Sequence, residues 1–201
     1  MSKSIKWAIA GAMLAASFAT ASAQQAQGQR LVGTVEGVDG RTLVVKTKSG
    51  EVKVNVTDDV KVFGVTKATV ADIKQGSFVG VGAMPQPDGS QKAIRVMIFA
   101  ESQRGTGEGH RPWTQPGSTM TNATVDTTVS SVDGQVLTVK YKDGEKKIVI
   151  PPGLPIQQYV AGDKSELKPG AHISIVRADK KPDGTLEAAR VNVGRGGVVP
   201  N

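Results

Sequence analysis

The stretch Val38-Asp39-Gly40-Arg41-Thr42-Leu43-Val44-Val45-Lys46 returns later in the chain as Val132-Asp133-Gly134-Gln135-Val136-Leu137-Thr138-Val139-Lys140, 94 residues further on. Each copy joins an Asp-Gly pair to a run rich in β-branched residues, which is a strong signal for a β-hairpin. The recurrence therefore indicates that a small β module occurs twice in this chain.

The repeat extends well beyond the hairpin. At the same offset Val54 falls on Ile148, and one inserted residue then raises the offset to 95, so that Arg95 falls on Arg190. The longer matching segments are Asp72-Ile73-Lys74-Gln75-Gly76 with Glu166-Leu167-Lys168-Pro169-Gly170, and Pro87-Asp88-Gly89 with Pro182-Asp183-Gly184. We therefore expect Val54 and Ile148 to be buried at equivalent positions. Two copies favour tandem domains, because solenoids usually need more repeats.

The composition favours an all-β fold. Only 4% of the 201 residues are aromatic and none is cysteine, so the cores must consist of Val, Ile and Leu, and disulfides are excluded. β-branched residues suit the pleated surface of a sheet and disfavour helices.

The N-terminus has the pattern of a secretory signal peptide. Lys3 and Lys6 precede an apolar run, and Ala21-Ser22-Ala23 resembles a small-x-small cleavage site. We expect a signal peptide at 1–23, secretion across the inner membrane and a periplasmic protein with no transmembrane segment after processing. Without these two lysines the formal charge falls from +7 to +5.

The expected architecture is two tandem small OB-like five-stranded barrels, with small sandwiches as the open alternative, joined by a Gly/Pro-rich linker. A short helical turn with Thr69 as N-cap is expected before the fourth strand. The predicted parts are a disordered N-terminus at 24–29, β module 1 at 30–99, a linker or loop at 100–123, β module 2 at 124–193 and a flexible tail at 194–201.

The modules resemble a bacterial exported family called domain of unknown function 5666. The resemblance rests on Gly33-Thr34-Val35, on the two Asp-Gly turns with their strands, and on the Lys-Pro-Gly turn at Lys168-Pro169-Gly170. The second copy has Thr127-Thr128-Val129 in place of the Gly-Thr-Val start. The resemblance implies a β fold and an exported setting, and it implies no activity.

The linker supplies the candidate partner-binding residues His110, Arg111 and Trp113. Trp113 either pins the loop by burying its ring or stays accessible as an anchor, since Trp and Arg are common at interface hot spots. A metal-binding accessory protein that uses the His110 loop is the alternative function. Because the loop offers a single histidine, we assign no metal ligands.

The duplicated basic residues Lys46, Lys140, Arg95 and Arg190 form a candidate basic face. No nucleophile and base with a fixed orienting partner is evident, so we expect no enzyme activity and no cofactor. The expected function is an exported binding or scaffold protein of the cell envelope. Its partner would be an envelope protein or an anionic envelope polymer, while the scarcity of aromatic residues disfavours nucleic acid.

Overall fold

The computed structural model describes residues 28–131 and 134–200. The predicted signal peptide at 1–23, residues 24–27, Val132 and Asp133 of the second turn motif, and Asn201 lie outside the described residues.

The described chain is all-β and contains twelve strands with three short 3-10 turns. The strands are β1 (Gln29–Asp39), β2 (Thr42–Thr47), β3 (Gly50–Ala68), β4 (Phe78–Pro85), β5 (Gln91–Ile98), β6 (Gly109–Pro112), β7 (Thr119–Ser131), β8 (Gly134–Tyr141), β9 (Gly144–Ile150), β10 (Ile156–Ala161), β11 (His172–Lys180) and β12 (Leu186–Gly194). The turns are Val70–Asp72, Glu101–Gln103 and Lys164–Glu166. At the first turn, the Asp72 carboxylate accepts hydrogen bonds from the Thr69 backbone N–H and hydroxyl, at 2.7 and 2.8 Å.

Five strands form a closed barrel, which we call the first ring. Its order is β1-β2-β3-β12-β11, and β11 pairs back onto β1. Neighbours are antiparallel except β3 and β12, whose parallel pairing runs from Val54 with Leu186 to Val65 with Gly194. This long parallel contact closes the barrel without leaving an exposed strand edge.

Five further strands form a second ring in the order β7-β8-β9-β5-β4, and β4 pairs back onto β7. Its parallel contact is shorter, with Gln91 paired to Ile148 and Lys92 paired to Val149. The second ring therefore repeats the strand order of the first ring and closes through a smaller number of bonds.

The two repeats exchange strands. The first ring combines β1, β2 and β3 of the first repeat with β11 and β12 of the second, and the second ring combines β4 and β5 of the first repeat with β7, β8 and β9 of the second. The structure therefore does not confirm two tandem barrels. The second ring is contiguous in sequence, from Phe78 to Ile150, and lies between the two segments of the chain that build the first ring.

The chain passes between the rings along β3 and β10. The second half of β3 pairs antiparallel with β10, and Val65 pairs with Tyr159, its own repeat equivalent 94 residues later. We call this β3–β10 pairing the crossover. Because two repeat-equivalent positions pair with each other there, a local two-fold axis passes through the crossover. In the second repeat, β9 and β10 are separate strands. The segment between them contains Pro151, Pro152 and Pro155, and proline has no backbone N–H to donate to a neighbouring strand.

Both ring cores are aliphatic, as the composition predicts. Val54 lies in the core of the first ring and Ile148 in that of the second, and neither side chain is accessible to solvent. The expectation that these two equivalents are buried in separate interiors is confirmed.

The hairpins of the two repeats differ in length. In the first hairpin Val35 pairs with Val45, and in the second hairpin Val125 pairs with Val139. The equivalent valines of β2 and β8 are therefore 94 residues apart, whereas the equivalent valines of β1 and β7 are 90 residues apart. The β7–β8 hairpin is therefore longer, and its extension leaves the Val129 side chain 60% exposed.

Two segments predicted to be irregular have structure. The linker 100–123 contains a 3-10 turn and β6, which pairs with β7, and β7 begins at Thr119 rather than at Thr124. In the predicted tail, Val198 is buried, and Arg195 binds Glu166 with an Nη2–Oε1 distance of 2.7 Å. Glycine and proline at these positions shape turns around short ordered pieces.

Cleavage of the exposed loop 114–117 is expected to leave one particle. A protease site inserted between Gln115 and Pro116 would divide the chain into two fragments that each contribute strands to both rings. After cleavage the fragments should co-elute in native size exclusion and separate only in denaturant. Two fragments that separate and stay folded in buffer would contradict the strand exchange.

Core truncation in either ring is expected to affect one shared unfolding transition. Ile148→Ala should lower the free energy of unfolding by about 2–5 kcal/mol, and Val54→Ala should lower the same transition, as measured by urea denaturation. The exposed Val129→Ala is the control and should stay within about 0.5 kcal/mol of the parent protein. Separate transitions, each responding to one variant only, would show that the rings unfold independently.

Candidate functional site

A cleft of about 260 Å³ lies between the two rings, beside the crossover. Strands from both rings, β10 and the loop that contains β6 contribute to its walls. We call it the arginine cleft, because Arg30, Arg95, Arg111 and Arg190 all line it.

Arg95 and Arg190 enter the cleft from opposite rings. They are repeat equivalents on β5 and β12, and both are half-buried. The Arg190 guanidinium carbon lies 4.7 Å from the ring centre of Phe63 and 5.1 Å from that of Tyr159, while that of Arg95 lies 5.1 Å from Trp113. These cation–π contacts hold both guanidinium groups in place without neutralising them.

Positive charge in the cleft is not balanced by carboxylates. No Asp or Glu of the described chain lines the cleft, and none of its four arginines takes part in an ion pair among the described residues. Burial lowers the pKa of the Arg95 and Arg190 guanidinium groups, and repulsion from Arg30 lowers that of Arg95 further. Burial also raises the pKa of the Tyr159 hydroxyl, an effect that the nearby arginines oppose. The site therefore favours an anion from outside the described chain.

One buried acceptor in the cleft has no hydrogen-bond partner. The Asn122 side chain lines the cleft in a residue only 6% exposed, and its Nδ2 donates to the Thr106 carbonyl at 2.9 Å. Its Oδ1 accepts no hydrogen bond. A buried acceptor left in this state costs free energy, and its burial keeps Oδ1 itself out of contact with the open part of the cleft.

Trp113 packs its ring on the backbone of β4. A Cβ atom added at Gly82 would lie 2.4 Å from Trp113 Cζ3, so only glycine fits beneath the ring as it stands. The ring is half-buried, and the Trp113 backbone N–H donates to the Ser118 carbonyl at 2.9 Å. This is the arrangement expected if Trp113 pins the loop, and the same ring forms a wall of the cleft.

The alternation of side chains along β6 separates the three predicted loop residues. Arg111 and Trp113 reach the cleft, whereas His110 stacks on Tyr141 outside it, with ring centres 6.4 Å apart. His110 Nδ1 lies 2.8 Å from the Thr121 hydroxyl, and burial together with Lys146 lowers the pKa of the imidazole. Within residues 28–131 and 134–200, no three His, Asp or Glu side chains come together in a way that could hold a metal ion.

The candidate basic face divides into two parts. Lys46 and Lys140 are exposed and lie outside the cleft, where they pair with Glu36 at 3.2 Å and Asp126 at 3.1 Å. Arg95 and Arg190 lie together with the loop residues Arg111 and Trp113. Among the lining residues that sequence reasoning missed are Arg30, Asn122 and Tyr159. For Tyr159 the sequence offered one signal, because the repeat offset of 94 aligns it with Val65.

Comparison with protein-family models, with curated proteins and with solved structures found no match for this chain. In the part of the chain that the structure describes, no helix has the length and apolarity needed to cross a membrane.

Gly82→Ala is expected to displace Trp113 from β4. The added methyl group overlaps the indole ring and should cost about 1–3 kcal/mol of stability, as overpacking does. In a chain beginning at Gln24, where Trp113 is the sole tryptophan, the emission should shift to the red and iodide should quench it more strongly.

Gly37→Ala is the matched control, because a Cβ atom there would lie 3.8 Å from Val44, at ordinary contact distance. Its spectrum should equal that of the parent protein. Unchanged quenching in Gly82→Ala would show that Trp113 does not rest on β4.

Proposed function

We propose that this chain is an exported, non-enzymatic binding protein of the bacterial cell envelope, located in the periplasm, and that an anionic ligand binds in the arginine cleft. The single observation that carries the proposal is a cleft lined by four arginines and by no carboxylate of the described chain. Guanidinium groups match carboxylate and phosphate groups through paired N–H donors. The export pattern at 1–23 supports the envelope setting.

The proposed scaffold is a duplicated OB-like module whose two copies have exchanged strands. The order β1-β2-β3-β12-β11, with one parallel pair among antiparallel neighbours, is consistent with a five-stranded OB-type barrel, and the second ring has the same order. The exchange joins the two rings side by side, so that repeat-equivalent arginines converge on one cleft.

The chemistry of the cleft supports binding rather than catalysis. No imidazole, carboxylate or thiol of the described chain lines it, and burial makes the Tyr159 hydroxyl harder to ionise. General acid–base catalysis needs a group that exchanges protons near the working pH. Fixed cations beside aromatic walls instead supply orientation and affinity.

The proposal is tested by titration calorimetry with inorganic tripolyphosphate on the processed protein. Replacing both arginines in Arg95→Gln/Arg190→Gln removes two charge-assisted contacts and should weaken binding by about tenfold or more. Binding to the parent protein should also weaken as salt is added.

The matched control is Lys46→Gln/Lys140→Gln, which also removes two positive charges from repeat-equivalent positions. These lysines lie outside the cleft, so the affinity should change by about twofold or less, as expected for screened charges. Equal losses of tripolyphosphate affinity in the two double variants would mean that binding depends only on net charge, and this result would overturn the proposal. Absence of tripolyphosphate binding to the parent protein would overturn it directly.

A further inference from the structure

The arginine cleft has two halves that correspond through the repeat. Gly82 on β4 and Val176 on β11 are 94 residues apart, and Val176 lines the cleft. Asn122 on β7 and Val32 on β1 are equivalents too, because they pair with the same repeat position of β4 and of β11. Val32 and Val176 therefore stand on the first ring where Asn122 and Gly82 stand on the second ring.

The second-ring half is covered by a segment of polypeptide, residues 104–118. The Trp113 ring lies over Gly82, and the Thr106 carbonyl accepts a hydrogen bond from Asn122 Nδ2 at 2.9 Å. The same segment pairs with β7 through β6. The molecule itself thus shows how a polypeptide lies on this surface.

The first-ring half has no such cover in the part of the chain that the structure describes. The chain that follows β12 runs instead to the crossover, where Val198 is buried in one cluster with Tyr159. Val32 stays 36% exposed and Val176 stays 51% exposed. We call the surface formed by Arg30, Val32 and Val176 the open half of the cleft.

The open half joins accessible aliphatic side chains to unbalanced positive charge. Leu31 and Ile175 are buried, so the valines that follow them, Val32 and Val176, point outward from neighbouring strands. Arg30 is exposed, lines the cleft together with Val176 and forms no ion pair among the described residues. A ligand with both acidic and aliphatic groups can use both features, because buried apolar area and charge-assisted bonds each add affinity.

The covering segment of the second ring does not suit the open half of a second copy of this chain. Residues 104–118 carry two arginines and one glutamate, so they would bring positive charge to Arg30 and to the arginines beside it. Like charges brought together in this way repel. Charge complementarity instead favours a different protein whose segment is acidic.

We infer, on the basis of the proposed function, that the open half of the arginine cleft binds a segment of another envelope protein that carries acidic and aliphatic side chains. In the inferred complex, carboxylates of the segment bind Arg30 and Arg190, and its aliphatic side chains cover Val32 and Val176. The segment takes on the first ring the place that residues 104–118 take on the second ring.

The test is titration calorimetry of the processed protein with three capped hexapeptides, and with tripolyphosphate and decanoate as reference ligands. Aspartate alternates with leucine in the first peptide, serine replaces leucine in the second, and asparagine replaces aspartate in the third. The first peptide should bind about fivefold or more tightly than either of the others. The second peptide lacks the apolar contact, and the third lacks the charge-assisted bonds.

Val32→Ser/Val176→Ser removes the accessible aliphatic groups and should weaken binding of the aspartate–leucine peptide by about fivefold or more. Its affinity for tripolyphosphate and for the aspartate–serine peptide should stay the same. Val38→Ser/Val129→Ser is the matched control, because it removes two exposed valines that do not line the cleft. It should leave every affinity unchanged.

Equal affinity for the aspartate–leucine and aspartate–serine peptides, or unchanged peptide binding in Val32→Ser/Val176→Ser, would overturn the inference. If tripolyphosphate still binds, the proposed anion-binding function stands, whereas no binding of any probe would overturn both. Tighter binding of decanoate than of the first peptide would assign the open half to an acyl chain and overturn the inference. So would a dimer, or capture by phosphatidylglycerol vesicles, that Val32→Ser/Val176→Ser abolishes. If that variant also loses tripolyphosphate, it has lost the cleft, and the three peptides on the parent protein decide.

Discussion

The structure depends on the continuous run of β3 from one ring into the other. Over its 19 residues β3 first pairs with β2 and β12 inside the first ring and then pairs with β10 at the crossover. Because β3 continues in one direction through this run, its end lies at the second ring, and the strands that follow it, β4 and β5, become part of that ring. The first ring must then be completed by β11 and β12 from the other repeat. Strand exchange, the local two-fold axis and the shared cleft all follow from this one extended segment.

The use of aromatic residues reflects the same geometry. The ring interiors are filled by aliphatic side chains, whereas Phe63, Phe78, Phe99 and Tyr159 contact one another in series at the crossover, with ring centres 5.3 to 6.3 Å apart. Small barrels leave little room for large rings, but the seam between two barrels is wider and irregular. The scarce aromatic residues thus join the rings and also form a wall of the cleft.

Much of the local structure could be predicted from the sequence, because turn residues and alternating β-branched residues act over short distances. The burial of Val54 and Ile148 and the aliphatic cores belong to this group. The exchange of strands could not be predicted, since the two repeats share one sequence pattern and the pattern does not say which ring β4 and β5 join. Lys46 and Arg95 look alike as basic residues in strands, yet one has Glu36 beside it and the other faces a cleft that exists only after the rings meet. Asn122 carried no signal, because its place in the wall of the cleft depends on the pairing of β4 with β7.

In the sequence, the strands of the second ring lie between the two groups of strands that build the first ring, and this arrangement imposes an order on folding. The strands β1 to β3 are synthesised, and emerge from any export channel, before their partners β11 and β12, and residues 69–171 lie between them. The second ring can close as soon as β9 is available, since its strands are contiguous. The first three strands meanwhile present unpaired edges, which are the parts of a β protein most prone to join other chains. Exposed lysines on the edge strand β3, such as Lys53 and Lys61, counteract such pairing during the interval before the C-terminal strands arrive.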